Sequence, residues 1–153
     1  RTDIAVGVFL LQLVATLMMT GVIWIVQIVH YPLFSRVGSE TFAAYHTDHV
    51  RLISFIVVPL MLVEAGAAAW TVVEGPPFVP TWAAWTGLAL VGVVWGSTFF
   101  GQVPLHESLS RSFDPTAHAA LVNGNWIRTA AWTARSALLL VVLTRVFGVM
   151  RIG

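Results

Sequence analysis

The sequence has no cysteine, no lysine and little of the charge that a soluble domain carries. With no Cys in 153 residues, disulfides, thiolate metal sites and cysteine nucleophiles are excluded. A formal net charge of only +1 without any Lys leaves no basic tract, so we expect no nucleic-acid partner. Charged residues make up 10% and hydrophobic residues 58% of the chain, whereas soluble domains average about 25% and about 45–50%. This composition disfavours both a soluble domain and a disordered chain.

Long hydrophobic runs occur four times. Each run is long enough to cross a hydrocarbon core of roughly 30 Å, which takes about 20 helical residues. None alternates as a barrel strand does, so we expect helices. The runs are Ile4 to Val29, Leu52 to Val73, Trp82 to Phe100 and Trp126 to Val149. Residues 1–153 are therefore predicted to form one all-α domain, an integral membrane four-helix bundle with antiparallel up-down topology.

Residues that begin, end or bend helices lie near the ends of these runs. Asp114 followed by Pro115 is typical of a helix cap and its first helical residue. Pro104 is expected to end the third helix, and Pro59 is expected to kink the second. Residues 74–80 contain three prolines and predict a short, stiff turn.

Small residues in the third run predict close helix packing. Gly92 and Gly96 are four residues apart, and such pairs allow helix backbones to approach one another. We therefore expect this face to pack against another helix of the bundle.

Polar residues at or near the ends of the runs collect at one end of the predicted bundle. In an antiparallel arrangement, the ends of the first and third spans lie beside the starts of the second and fourth. All five histidines of the chain fall at this end, together with three amides and an arginine. These residues are His30, His46, His49, His106, His118, Gln27, Gln102, Asn125 and Arg128.

The spacing of the histidines predicts a bound metal or haem. Gln27 and His30, like His46 and His49, are three residues apart, so each pair shares one helix face. Imidazoles that converge from several helices build metal sites in bundles, and imidazole suits iron, copper or zinc. The predicted ligands are His30, His49 and His106, with His46 as a fourth candidate. The alternative is interfacial histidines that bind water or loop carbonyls.

Two charged residues lie deep in the spans. Glu64 is fifteen residues past His49, roughly 22 Å deeper at 1.5 Å per residue, so it cannot reach a metal at the histidine level. Arg135 is ten residues past Asn125, roughly 15 Å deeper. Because an intramembrane charge needs a partner, we predict an intramembrane ion pair between Glu64 and Arg135. A proton path or a counter-charge for a substrate is the alternative.

Arg128 lies near the start of the fourth span, beside tryptophans. A guanidinium in such a place can hold a carboxylate, a phenolate or a quinone oxygen. The alternative is that Arg128 pairs with Asp48 or Glu107. The residues predicted to contact a substrate or to orient the metal ligands are Gln27, Gln102, Asn125, Trp126, Arg128 and Trp132.

Four motifs, in this order, resemble those of a group of small bacterial four-span membrane proteins. They are Trp24-x2-Gln27-x2-His30-Tyr31-Pro32-x-Phe34, then Phe42-x2-Tyr45-His46-x2-His49-x-Arg51 with Pro59-x-Met61-Leu62-x-Glu64, then Gln102-Val103-Pro104-x-His106, and last Asn125-Trp126-x-Arg128-Thr129-x2-Trp132-x2-Arg135. The resemblance covers essentially the whole chain. It implies the fold and a multi-pass location in a bacterial inner membrane, but no activity.

The pattern formed by Asn125, Arg128 and Trp132 is also similar to one in the anthrone-oxygenase-like family. These are small four-helix membrane proteins that act on polycyclic phenols with dioxygen. The similarity lies mainly in the fourth span, so it implies a phenolic substrate and oxidation without implying a role for the histidines.

These observations indicate three possible functions. The first is a metal-dependent membrane oxidoreductase that acts on a lipophilic, oxygen-bearing substrate entering from the lipid bilayer. The second is an electron-transfer protein that binds haem or quinone, with two histidines as axial ligands of a haem. The third is a structural or assembly subunit of a homo-oligomer or larger membrane complex, with the polar end as its docking surface.

Overall fold

The computed structural model describes residues 2–150, and within this range the chain is helical apart from short connections. Four long helices account for nearly all of it. We label them α1 (Thr2–Arg36), α2 (Ser39–Glu74), α3 (Thr81–Leu109) and α4 (Pro115–Met150). All four are long and apolar enough to cross a membrane, which indicates a multi-pass integral membrane protein.

The helices form a closed four-membered bundle. Each helix packs against its neighbours in sequence, and α1 also packs against α4. Because the connections are only a few residues long, consecutive helices run antiparallel. The predicted all-α, up-down four-helix bundle is confirmed.

The outer surface of the bundle is strongly apolar. Phe55, Val73 and Phe100 are 73%, 80% and 89% exposed. Exposed side chains of this kind are costly in water and favourable in hydrocarbon. Most of the deep polar groups instead lie inside the bundle, so the distribution of side chains fits a protein surrounded by lipid.

Helices α1 and α3 each contain a π-helical turn just before a proline. The turns are Val26–His30 and Thr98–Gln102, and they precede Pro32 and Pro104. A proline lacks an N–H and clashes with the carbonyl four residues earlier. A π-turn adds one residue to that interval, so the helix can pass through the proline. The prediction that Pro104 ends the third helix was wrong for this reason, because α3 continues to Leu109.

The other turn signals are found in the structure. Helix α4 begins at Pro115, and the Asp114 carboxylate accepts a hydrogen bond from the Thr116 amide at 2.8 Å. Helix α2 contains Pro59 and ends at Glu74, and the next residue, Gly75, has a positive φ of 56° that favours glycine. The predicted cap at Asp114 is therefore confirmed.

The close helix approach in α3 occurs at Gly87 rather than at the predicted glycine pair. A Cβ placed on Gly87 would lie 2.9 Å from Arg135 Nη1, whereas Gly92 and Gly96 have open space at that position. The inward face of α3 carries Gly87 and Val91, and Gly92 is rotated away from it by one residue. The predicted packing role of Gly92 and Gly96 within the bundle was therefore wrong.

Replacing Gly87 with Ala should destabilise the bundle, because the new methyl group would push against a buried guanidinium. We expect a loss of about 1–3 kcal/mol, as is typical of overpacking. Gly92→Ala on the same helix is the matched control and should leave stability unchanged or slightly raised. Thermal unfolding in detergent micelles measures both. Equal melting temperatures for the two variants would contradict the close contact at Gly87.

Candidate functional site

A cavity of about 600 Å³ opens at the histidine-rich end of the bundle, between α2 and α3. Its walls are mostly aliphatic, with Met19 and Ile23 from α1 and Val50 and Val57 from α2. Its volume lies in the range of small-molecule sites, about 300–1,000 Å³. The side chains able to bind a polar ligand in this lining include Tyr31, His46, His49, Gln102, His106 and Arg128.

Four of the predicted histidines lie together, hydrogen-bonded in pairs. His30 Nε2 is 2.7 Å from His49 Nδ1, and His46 Nε2 is 2.9 Å from His106 Nδ1. In each pair one ring nitrogen donates and the other accepts, so at least one ring of each pair is neutral. The ring centroids of His49 and His106 are 6.0 Å apart, which brings the two pairs side by side.

These histidines do not form a preassembled metal site. Within residues 2–150, no group of three or more His, Cys, Asp or Glu side chains is arranged to hold a metal ion. The ring nitrogens face each other, and His106 Nε2 also bonds the Tyr31 hydroxyl at 2.8 Å. A metal binds a ring nitrogen at about 2.0–2.1 Å and needs its lone pair. Both ring nitrogens of His106 are already hydrogen-bonded, whereas His46 Nδ1 has no partner among the described residues. Coordination by His106 therefore requires one of its two hydrogen bonds to open, and coordination by His30, His46, His49 and His106 stays a prediction.

Only part of this cluster faces the cavity. His49 lines the cavity and also a groove of about 460 Å³ on the outer side of α1 and α2. His30 lines this groove and not the cavity. A ligand in the cavity can therefore meet His46, His49 and His106 directly, whereas His30 acts on it through His49.

Tyr31 is a site residue that the sequence did not reveal. It is buried, its hydroxyl bonds His106, and its carbonyl accepts a hydrogen bond from His118 Nε2 at 2.7 Å. A tyrosine at a span end is ordinarily interpreted as part of an aromatic belt. The sequence feature that could have identified it is its position directly after His30 and before Pro32. The π-turn that precedes this position changes the direction in which the following side chains point.

Arg128 is 94% buried, with 6% of its surface exposed. Its Nη1 donates to Asn125 Oδ1 at 3.3 Å, and its guanidinium carbon lies 5.2 Å from the Trp132 ring centroid. The Tyr31 phenol lies beside it. The guanidinium is therefore held by neutral groups.

The carboxylates considered as partners for Arg128 pair with other arginines. Asp48 lies 3.0 Å from Arg51, and Glu107 lies 3.9 Å from Arg111. Both of these pairs are exposed. Across the described range, no carboxylate oxygen lies within 4.0 Å of the Arg128 guanidinium. The alternative role of Arg128 as the partner of Asp48 or Glu107 was therefore wrong.

Three buried polar atoms in the part of the chain that the structure describes have no hydrogen-bond partner. They are His46 Nδ1, Gln102 Oε1 and Arg128 Nε. All three belong to residues that line the cavity, and they come from α2, α3 and α4. An unsatisfied buried polar group costs about 1–3 kcal/mol. Their concentration at one cavity points to a polar group that enters from outside the chain.

Gln27 and Asn125 join α1 to α4 instead of lining the cavity. Asn125 Nδ2 donates to Gln27 Oε1 at 3.0 Å, and Gln27 Nε2 donates to the Val122 carbonyl at 3.0 Å. Neither amide lines the cavity, and the roles predicted for them, contact with a substrate or orientation of the metal ligands, stay predictions. Asn125 instead supports Arg128.

The two predicted tryptophans also lie outside the cavity lining. Trp126 is 44% exposed and packs edge-to-face on Trp24 on the outer surface, and its predicted contact with a substrate stays a prediction. Trp132 is buried beneath Arg128, and its Nε1 donates to Glu64 Oε2 at 2.8 Å. It positions Arg128 without facing the cavity.

Glu64 and Arg135 form an ion pair inside the bundle, with Arg135 Nε 3.4 Å from Glu64 Oε1. The Thr16 hydroxyl also donates to Glu64, and Arg135 donates to Gln12 Oε1 at 2.9 Å and to the Gly87 carbonyl at 2.7 Å. This network involves all four helices. Gln12 and Thr16 were missed, although two polar residues four apart in an apolar span were a usable signal.

Comparison of the chain with protein-family models, with curated proteins and with solved structures finds no match. The resemblances drawn from the motifs therefore stay predictions. Any functional conclusion has to come from the geometry of the cavity.

Proposed function

We propose that this protein binds a lipophilic, oxygen-bearing small molecule in the cavity between α2 and α3. The observation that carries the proposal is the set of three unpartnered buried atoms, on His46, Gln102 and Arg128, in the lining of one mostly apolar cavity. Such a combination, apolar walls with a few convergent polar groups, is typical of small-molecule sites.

The apolar walls account for the lipophilic part of the ligand. Val50, Ile53 and Val57 contribute one wall from α2, and Val103 contributes to the facing wall from α3. The outer faces of both helices are apolar and lie toward lipid. The proposed route of entry for a molecule dissolved in the bilayer is between these two helices.

The polar groups account for the oxygen. Arg128 donates hydrogen bonds only, Gln102 can present either end of its amide, and His46 can donate or accept. A phenol, a quinone or a carboxylic acid offers matching oxygen atoms. An ordinary hydrocarbon offers none and would leave all three groups unsatisfied.

Replacing Arg128 with Lys is the most direct test of this function. Lysine keeps the charge but lacks the planar fork that binds an oxygen group through two hydrogen bonds. We expect Arg128→Lys to fold as the wild type does and to lose most of a small molecule that copurifies with the wild type. Mass spectrometry of lipid-soluble extracts measures this loss.

Arg111→Lys is the matched control, because Arg111 lies at the same end of the bundle and is exposed. Its extract should equal that of the wild type. If the wild type and Arg128→Lys give identical extracts, or neither holds a small molecule, Arg128 is structural. In that case the site is better explained as the docking surface of an assembly subunit.

Metal-dependent oxidoreductase activity is a second candidate, favoured by the four imidazoles beside the cavity. Metal coordination that includes His106 would have to open one of that ring's hydrogen bonds, to His46 or to Tyr31. Iron, copper or zinc would then supply redox or Lewis-acid chemistry next to the bound oxygen. Elemental analysis of the purified protein decides this candidate, and an absorption spectrum decides between a simple metal ion and a haem. A metal-free, colourless protein that still binds its ligand would contradict both.

A further inference from the structure

The buried charges of the bundle do not balance. Among the Asp, Glu and Arg side chains of the described residues, those buried are Glu64, Arg128 and Arg135. Glu64 is paired with Arg135, so the positive charge of Arg128 is left without a negative partner. A buried charge requires pairing or coordination, and this one lies at a cavity.

The titratable groups around Arg128 do not supply the missing charge. His46 and His106 across the cavity are neutral or positive, and the Tyr31 hydroxyl is hydrogen-bonded to His106. Glu107 at the cavity mouth is exposed and lies beside Arg111. The acid inside the bundle, Glu64, is already bound by Arg135, Thr16 and Trp132.

From this imbalance we infer that the ligand is a lipophilic monoanion whose negative charge lies on oxygen, as in a carboxylate or a phenolate. This inference rests on the proposed function and narrows its ligand class. One negative charge neutralises Arg128, and an oxyanion matches its hydrogen-bond donors. A second negative charge would itself be left uncompensated. A cationic ligand would meet the buried positive charge of Arg128. Arg51 at the mouth is exposed and paired with Asp48, so it supplies no free charge of either kind.

The residues that contact Arg128 fix the position of its guanidinium. The Trp132 ring lies under the guanidinium and donates its own N–H to Glu64, while Asn125 holds Nη1. Trp132 is 1% exposed, so its ring cannot move without disturbing the Glu64 network. Arg128 is thus a preorganised anchor, and preorganisation reduces the entropic cost of binding.

The cavity also sets the form of a suitable probe. Its α2 lining runs from His46 to Val57, eleven residues and so roughly 16 Å along the helix. A medium-length alkyl tail fits this extent. Four probes share a dodecyl tail and differ in the charge of the head group. Dodecanoate is negative, methyl dodecanoate and dodecanol are neutral, and dodecylamine is positive.

The test compares the binding of these four probes to the intact wild-type protein in detergent at mildly alkaline pH. Equilibrium dialysis measures binding, with protein-free micelles as the blank for partitioning. We expect dodecanoate to bind roughly tenfold or more tightly than its methyl ester, since a charged hydrogen bond contributes about 1.5–3 kcal/mol. An alkylated nitrophenol, ionised at the same pH, distinguishes a phenolate preference from a carboxylate preference.

Arg128→Met removes the charge and keeps an apolar stem, so it should abolish the preference for the anion. Arg111→Met is the control and should keep that preference. If Arg128→Met does not fold, the probe series on the wild type still decides the question. Equal binding of dodecanoate and its ester would overturn the monoanion inference and leave the proposed function standing. Failure of every probe, together with wild-type extracts that contain no small molecule, would overturn both.

Discussion

Replacing Glu64 with Gln should destabilise the bundle by about 3–5 kcal/mol, the cost of breaking a buried ion pair by removing one partner. The replacement leaves the Arg135 guanidinium buried, with 1% of its side chain exposed, and with no carboxylate beside it. Arg135→Gln should cost a similar amount, because the carboxylate of Glu64 then keeps only its bonds to Thr16 and Trp132.

The double variant separates pairing from simple loss of packing. Each single change leaves one buried charge without a partner, whereas the double change removes both charges. The double variant should therefore lose less stability than the two single variants combined. Thermal denaturation in micelles gives the three values. Asp48→Asn is the control, since Asp48 and Arg51 form an exposed pair that contributes about 0–1 kcal/mol. Strictly additive losses would show that Glu64 and Arg135 do not interact.

The fold could be predicted from hydropathy because lipid leaves the backbone few options. Four apolar runs of spanning length had to be helices, and short connections had to make them antiparallel. The end of α3 could not be predicted in the same way. A proline does not fix the end of a helix in this bundle, because α2 continues through Pro59 and α3 continues past Pro104 after the π-turn at Thr98–Gln102. No local sequence rule places such a π-turn.

The sequence predicts how deep the residues of the candidate site lie along the spans, but not the direction in which their side chains point. Counting residues along each span places His46, His49, His106 and Arg128 at one end, where the cavity lies. The direction of each side chain depends on the helix register. A π-turn adds a residue to the turn and so rotates the side chains that come after it. The π-turn at Val26–His30 contains both Gln27 and His30, which were expected to share one face of a regular α-helix.

The Glu64–Arg135 network shows a further limit of sequence reasoning. Depth alone makes these two charges candidates for one another, but the partners that complete the network are Thr16, Gln12 and the Gly87 carbonyl. Every residue has a backbone carbonyl, so the sequence does not show which carbonyl accepts a hydrogen bond from Arg135. Gly87 becomes informative only when the Arg135 side chain is known to pass within contact distance of it.

Two buried glutamines make the strongest comparison between structural and ligand-binding roles. Gln27 and Gln102 are both 2% exposed, and both lie in π-turns that precede a proline. Gln27 is satisfied, because it accepts from Asn125 and donates to the Val122 carbonyl. Gln102 has an unpartnered Oε1, and its only hydrogen bond among residues 2–150, to the Leu121 carbonyl, is 3.5 Å long.

Gln27→Leu should therefore cost about 1–3 kcal/mol, because it leaves the amide of Asn125 buried without an acceptor. Gln102→Leu should cost little or nothing in stability, since it replaces an unsatisfied polar group with an apolar one of similar size. The amount of bound ligand should change in the opposite order. Gln102→Leu should lose the ligand, and folded Gln27→Leu should keep most of it. Thermal unfolding and mass spectrometry of extracts measure the two quantities on the same samples. A destabilised Gln102→Leu that keeps its ligand would show that Gln102 supports the helices rather than the cavity, and would remove it from the binding site.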